Sequence, residues 1–270
     1  MTTPRLIGVR QKINRAKYHL NQLKAALEAW NGTEEEGNPL VIYKNPGRTW
    51  WDLSVKEVTP NNPNWALIVG DIIHNLRSAL DHLVYQLAIL HGQSTNFARE
   101  TFFPISLDAS SFSKARVKLE SHIAPRALAL IEELQPYKAA DLVGKDPKAS
   151  KLWIVSELDI IDKHRILIVT GKFFRITELN CFVNNGTPVV VPVDPAWHPL
   201  IDGAPLASVD FSSFALKDED KMNVGARMEV QIFFNETGTE FDGLQPVEAL
   251  QPCIRYISGV VELFEGQFFN

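Results

Sequence analysis

The segment from Asn62 to Gly92 constrains the fold more than any other part of the chain, because its residue spacing predicts one long amphipathic helix. Asn62 is a suitable N-cap, Pro63 fits the first helical position, and Gly92 is typical of the residue just past a helix end. An apolar residue recurs every three or four positions between these ends and forms one stripe: Val69, Ile72, Leu76, Leu80, Leu83, Leu87 and Leu90.

The opposite face of this helix carries hydrogen-bonding and catalytic groups instead of the Lys and Glu of an ordinary solvated face. At about 100° per residue, the side chains that project together there are Asp71, His74, Arg77, Ser78, Asp81, His82 and Tyr85. Two interpretations stay open. The face is a functional site, or it is a satisfied polar network in which Asp81 pairs with Arg77 or His74 and fixes the helix register.

Three further long helices are predicted, so that the set covers about 4–31, 63–91, 147–165 and 246–268. Two shorter helices are predicted at about 110–121 and 125–135, the second stopped by Pro136. Strand-type periodicity occupies about 166–236, and two β-rich runs around Asn45-Pro46-Gly47 predict a hairpin after the first helix. We therefore predict an α+β chain that forms a single compact unit over 1–270. Its core is a four-helix bundle, with an antiparallel β-sheet inserted between the third and fourth long helices.

Charge and cysteine content narrow the class of protein. The net charge of −5 and the pI of about 5.8 argue against a general nucleic-acid binder, and we predict no DNA partner. Residues 1–31 nevertheless hold six Lys and Arg against one acid, Glu28, so the first helix forms either a solvated rim or an RNA- or phosphate-facing surface. Cys181 and Cys253 have no metal-type spacing, and no signal peptide or membrane span is predicted. We expect a cytoplasmic protein with no membrane partner.

Arg77 and His82 make an R-x4-H pattern within the segment HNLRSALDH of the long helix. In this the chain resembles the HEPN superfamily, small helical bundles of which many members are metal-independent ribonucleases of toxin–antitoxin and phage-defence systems. The resemblance implies that His82 acts as a general acid or base on a ribose 2′-hydroxyl or the leaving oxygen, and that Arg77 stabilises the phosphorane. It also implies a symmetric homodimer. It covers about residues 63–91, and Ser78 stands where many members have Asn or Asp.

On this hypothesis the substrate is RNA and no cofactor is needed. The candidate catalytic residues are Arg77, His82, His74 and Asp81, and the candidate substrate-binding residues are Ser78, Tyr85, His164 and Arg165. The chain also resembles a family of uncharacterised bacterial proteins that carry the segments HNLRSALDH, FPI, QPY and DKHR. These are residues 74–82, 103–105, 135–137 and 162–165 here. That second resemblance implies no activity.

Two alternatives from other classes stay open. Asp71 and His74 form a carboxylate-x-x-His pair of the kind that di-iron bundles use twice, although Ile161 occupies the matching position before His164. Because Glu157 and His164 share a helix face, the residues Asp71, His74, Glu157 and His164 could hold a single Fe, Mn or Zn ion. The other alternative is a non-enzymatic bundle whose polar face is structural and whose sheet binds a protein partner.

Overall fold

A computed structural model describes residues 6–29, 40–44, 50–55, 63–93, 102–144, 146–165, 167, 169–183, 186, 189–190, 196–199, 201, 203–210 and 222–269. The protein is α+β. The described helices are α1 (Ile7–Glu28), α2 (Pro63–Leu90), α3 (Ala109–Leu119), α4 (Pro125–Glu133), α5 (Pro136–Val143), α6 (Lys151–His164) and α7 (Pro246–Phe268). The described strands are β1 (Leu40–Lys44), β2 (Trp50–Val55), β3 (Val169–Val183), β4 (Val189–Val190), β5 (His198–Pro199), β6 (Pro205–Asp210) and β7 (Met222–Phe234).

The chain separates into two compact units. The first comprises Met1–Gln22, Ala66–Leu167 and Val247–Asn270, and the second comprises Leu23–Trp65 and Ile168–Pro246. The expectation that 1–270 forms one compact unit stays a prediction. None of the helices in the described part of the chain combines the length and the apolar character needed to cross a membrane.

The four long helices expected from periodicity are present as α1, α2, α6 and α7, and the apolar stripe of α2 is buried as the spacing predicts. Its buried members are Val69, Ile72, Leu76, Leu80, Leu83 and Leu87, whereas Leu90 at the last turn is 40% exposed. α2 begins at Pro63. The predicted cap, Asn62, lies outside the described residues.

The segment between α4 and α6 differs from the sequence-based prediction in two places. Asp146 caps only a single 3-10 turn, and Ser150 then adopts an extended backbone, so α6 begins at Lys151 instead of at residue 147. Pro136 does not simply stop a helix but opens α5, because the extended backbone of Gln135 precedes it and proline fits the first helical position.

Contacts between helices of the first unit show how they neighbour one another. The contacting pairs are Gly8 with His82, His19 with Asp71, Gly70 with Asp162, His74 with Asp159, and Arg10 with Glu265. Residues near the start of one helix meet residues near the end of its neighbour. α1 therefore runs antiparallel to α2 and to α7, and α2 runs antiparallel to α6.

Two antiparallel sheets lie in the second unit. β1 pairs with β2 and β2 pairs with β6, so the predicted hairpin after α1 is present and a strand of the insertion joins it. Its expected turn, Asn45-Pro46-Gly47, lies outside the described residues. In the other sheet, β3 pairs with β4, β5 and β7. The strands β3 to β7 fall between α6 and α7, where the insertion is predicted.

Candidate functional site

The polar residues of α2 share one side of the helix, but they contact three different neighbours. Arg77 and Asp81 bind the loop at residues 102–106, His74 contacts α6, and His82 contacts α1. The structure therefore divides the candidate catalytic set, and Arg77 and His82 are directed at different elements.

Arg77 and Asp81 hold the backbone of Phe103 from both sides. The Arg77 guanidinium donates to the Phe103 carbonyl at 2.9 Å, and Asp81 Oδ1 accepts the Phe103 N–H at 2.8 Å. The two side chains also pair with each other at 2.9 Å, as one of the sequence-based alternatives predicts. Burial raises the pKa of Asp81, against the opposing effects of the Arg77 cation and the Phe103 N–H. Only 13% of the Arg77 side chain is exposed, and its guanidinium is used in binding Asp81 and the Phe103 carbonyl.

The same loop is held on its other side by Gln135, which is fully buried. Its amide nitrogen donates to the carbonyls of Pro104 at 2.9 Å and Ile131 at 3.0 Å, and its amide oxygen accepts the Ser106 N–H at 2.9 Å. Phe103 is itself fully buried, so the loop fills a gap in the core as its apolar sequence suggests. The FPI and QPY segments thus belong to one hydrogen-bonded network with α2.

A second cluster joins α2 to α6 around Asp159, a residue that no sequence motif singles out. Its side chain is 4% exposed, with Lys163 Nζ at 2.5 Å from one carboxylate oxygen and His74 Nδ1 at 3.4 Å from the other. His74 and Lys163 are each more than half exposed. The available signal is the i,i+4 spacing of Asp159 and Lys163, which predicts an ion pair on one helix face.

Asp162 lies directly against the backbone of α2 at Gly70. A Cβ at Gly70 would sit 2.7 and 2.8 Å from the two carboxylate oxygens, so only glycine leaves room for this approach. Burial, and next the charge of Asp159, raise the pKa of Asp162, whereas the Leu167 N–H and the His74 imidazole oppose the shift. The lone glycine in α2 is therefore a close-packing point.

His82 lies on the α1 side of α2 and is exposed. Its Nδ1 would be 3.9 Å from a Cβ at Gly8, which places the imidazole against the first turns of α1. Partial burial and the Lys12 cation lower the pKa of His82, and Asp81 opposes them. The ring is accordingly neutral at pH 7, the form that accepts a proton.

The other predicted site residues lie on two helices. Ser78 and Tyr85 are half-buried on α2, and His164 and Arg165 are exposed at the end of α6. The residues of the alternative metal site are Asp71, His74, Glu157 and His164. Across the described ranges, no group of three or more His, Cys, Asp or Glu side chains is arranged to hold a metal ion, so the geometry gives that alternative no support.

Comparison with protein-family models, with curated proteins and with solved structures finds no match to this chain.

Proposed function

We propose that this chain is a HEPN-like protein that cleaves RNA without a metal ion, in a toxin or defence system, with His82 as its acid–base residue. The observation that carries the proposal is the position of His82, an exposed imidazole against α1 at Gly8, whose pKa is lowered below 6.5 by partial burial and the Lys12 cation. A neutral, accessible imidazole next to a cation is suited to take a proton from a hydroxyl group close to a phosphate.

The reaction proposed is attack of a ribose 2′-oxygen on the adjacent phosphorus. His82 takes the 2′-hydroxyl proton while the O2′–P bond forms and the bond from phosphorus to the 5′-oxygen breaks. The 5′-oxygen leaves with a proton from water, which gives a cyclic 2′,3′-phosphate and a 5′-hydroxyl, and the His82 imidazolium returns its proton to the hydroxide formed. The family resemblance implies a homodimer, which would hold two such sites.

Lys12 and Arg77 have different parts in this proposal. Lys12 is half-buried beside His82 and would stabilise charge on the phosphorane. Arg77 is held by Asp81 and Phe103, so it would act as a positioning residue that keeps α2 and the 102–106 loop in place.

The four-helix bundle core is part of the same proposal. The antiparallel contacts of α1 with α2 and α7, and of α2 with α6, support it. The Lys151 cation of α6 opposes the rise in the pKa of Cys253 on α7, which is consistent with α6 and α7 as the remaining neighbours. We place the protein in the cytoplasm.

The test is EDTA-resistant cleavage of a labelled RNA by the purified full chain. The variant His82→Gln should lose at least about a hundredfold in rate, because general acid–base groups contribute on that order. His91→Gln changes another exposed histidine near the end of the same helix and should cleave like the native chain. Light scattering should give a mass about twice 30.3 kDa. Equal cleavage by the native chain and His82→Gln would remove the proposal.

A second candidate function has its own supporting observation. The contacts of Arg77, Asp81 and Gln135 with one buried loop are those of a structural network, which favours a non-enzymatic bundle. If His82→Gln and the native chain are both inactive on RNA, and Arg77→Ala only lowers the free energy of unfolding, this second candidate is supported instead.

A further inference from the structure

We infer that three outward residues of α1, Lys12, Arg15 and Tyr18, bind single-stranded RNA. Together these three residues form the α1 strip. The inference rests on the proposed function and deepens it, because it names the form of RNA that reaches His82.

The charge of α1 is opposite to that of the chain as a whole. Its 22 residues contain five Lys and Arg, and their one acid, Glu28, is the last residue of the helix. The full chain carries a net charge of −5. A cationic strip on an acidic protein attracts a polyanion to one place and repels it elsewhere.

Not all of these cations are directed to the same side. Arg10 pairs with Glu265, and Lys17 lines a cavity of about 70 Å³ together with Ser258 and Glu262, so both are directed towards α7. Lys12 lies one turn after Gly8, the residue of α1 that contacts His82, and so it is on the other side of the helix.

Arg15 and Tyr18 form an exposed cation–aromatic pair. The Arg15 guanidinium carbon is 5.2 Å from the centroid of the Tyr18 ring, and Tyr18 is 50% exposed. Its hydroxyl accepts a hydrogen bond from Gln22, which fixes the ring at the surface. Aromatic rings and guanidinium planes are the groups on which unstacked bases pack, and bases are unstacked only in single strands.

His82 stands at one end of the α1 strip. It contacts α1 at Gly8, one turn before Lys12, and Arg15 and Tyr18 follow at steps of three residues. From Gly8 to Tyr18 the helix rises about 15 Å at 1.5 Å per residue. A single RNA strand lying along α1 would therefore contact Arg15 and Tyr18 and also reach the His82 imidazole.

Two carboxylates approach this surface. Asp71, with 62% of its side chain exposed, lies 3.9 Å from His19 Nε2 near the far end of the strip. Asp81 is next to His82, but its Oδ1 already accepts from Arg77 and from the Phe103 N–H. Asp71 is thus an accessible negative charge, and it lies at the end of the strip away from His82.

The test is fluorescence anisotropy with a short labelled oligouridylate, on a His82→Gln background so that binding is measured without cleavage. Each of Lys12→Gln and Arg15→Gln should flatten the plot of log binding constant against log salt by about 0.7. Tyr18→Ala should weaken binding at least about fivefold with the salt slope unchanged. Lys114→Gln, an exposed charge on α3, is the matched control and should change neither quantity.

Three outcomes would overturn the inference: no binding by the His82→Gln chain, equal effects of Lys114→Gln and Lys12→Gln, or preference for an RNA duplex of the same length. Binding that depends on the strip in a native chain without RNA cleavage would keep the inference and remove the nuclease proposal. RNA cleavage at the same rate by the native chain and by the strip variants would keep the nuclease proposal and remove the inference.

Discussion

Gly70 controls how closely α6 approaches α2. The Asp162 carboxylate occupies the space that a Cβ would fill, and from there Asp162 also accepts the Leu167 N–H. A larger residue would push the carboxylate away and break that hydrogen bond. Two effects therefore oppose each other at this position. Helix propensity favours alanine, whereas the contact with Asp162 requires glycine.

We predict that Gly70→Ala lowers the free energy of unfolding by about 1 kcal/mol. Alanine gains up to about 1 kcal/mol in propensity, but losing a hydrogen bond to a charged group costs about 1.5–3 kcal/mol. Chemical denaturation checks this, with Gly259→Ala as the control, because nothing lies within 4 Å of a Cβ at that exposed helical glycine. In an Asp162→Ala background the sign should reverse, and a cost that persists there would refute the explanation.

At the scale of elements, α2 and α6 are joined by an ion cluster whose members differ in burial. Asp159 is 4% exposed, whereas His74 and Lys163 are 56% and 55% exposed. Removing the buried carboxylate leaves an ammonium and an imidazole that water can solvate. Removing Lys163 leaves a buried negative charge with the His74 imidazole at 3.4 Å.

We therefore predict unequal effects at the two ends of this ion pair. Lys163→Ala should lower the free energy of unfolding by about 2 kcal/mol and Asp159→Ala by about 1 kcal/mol. The loss is larger for Lys163→Ala because that variant leaves the buried Asp159 carboxylate without its ammonium partner. Urea denaturation of both variants and of the double variant measures the difference. Equal losses, or a larger loss for Asp159→Ala, would show that the carboxylate is effectively hydrated.

The stability of the whole molecule should depend on pH through groups with opposite shifts. The pKa values of Asp81 and Asp162 are raised, mainly by burial, and the pKa of His82 is lowered. A carboxyl group with a raised pKa stabilises the fold fully below its unfolded pKa of 3.8, and this contribution is lost as pH rises through the folded pKa. The contribution of His82 to stability has the opposite pH dependence. It is lost as pH falls below 6.5, because the unfolded chain then binds the proton more readily.

Asp81→Asn isolates one of these contributions, since the amide stays neutral at every pH. We predict that the free energy of unfolding of the native chain minus that of Asp81→Asn falls as pH rises from 3.8 through the folded pKa, and is constant above it. Denaturation curves at several pH values between about 3.5 and 7 cover the relevant window and provide the measurement. A difference that rises with pH would mean that the Arg77 cation outweighs burial.

Helix positions and the α+β class were predictable because they depend on local periodicity and on residues that start a helix, such as Pro63 at the first helical position. The i,i+4 pair of Arg77 and Asp81 was predictable for the same reason, since both residues lie on one helix. The start of α6 was wrong, because it begins at Lys151 instead of residue 147, and α5 was missed, although α4 does end before Pro136 as predicted. A cap or a proline marks a change of backbone direction without specifying the element on its far side.

By itself the sequence determined the long helices, the α+β class and which side chains share the polar side of α2. Only the tertiary structure decided that Arg77 and Asp81 hold Phe103, that His74 meets Asp159, and that His82 lies against α1 at Gly8. These partners are far apart along the chain, and which of them meet depends on how the apolar stripes pack together. Packing is a property of several elements at once, so no local pattern contains it.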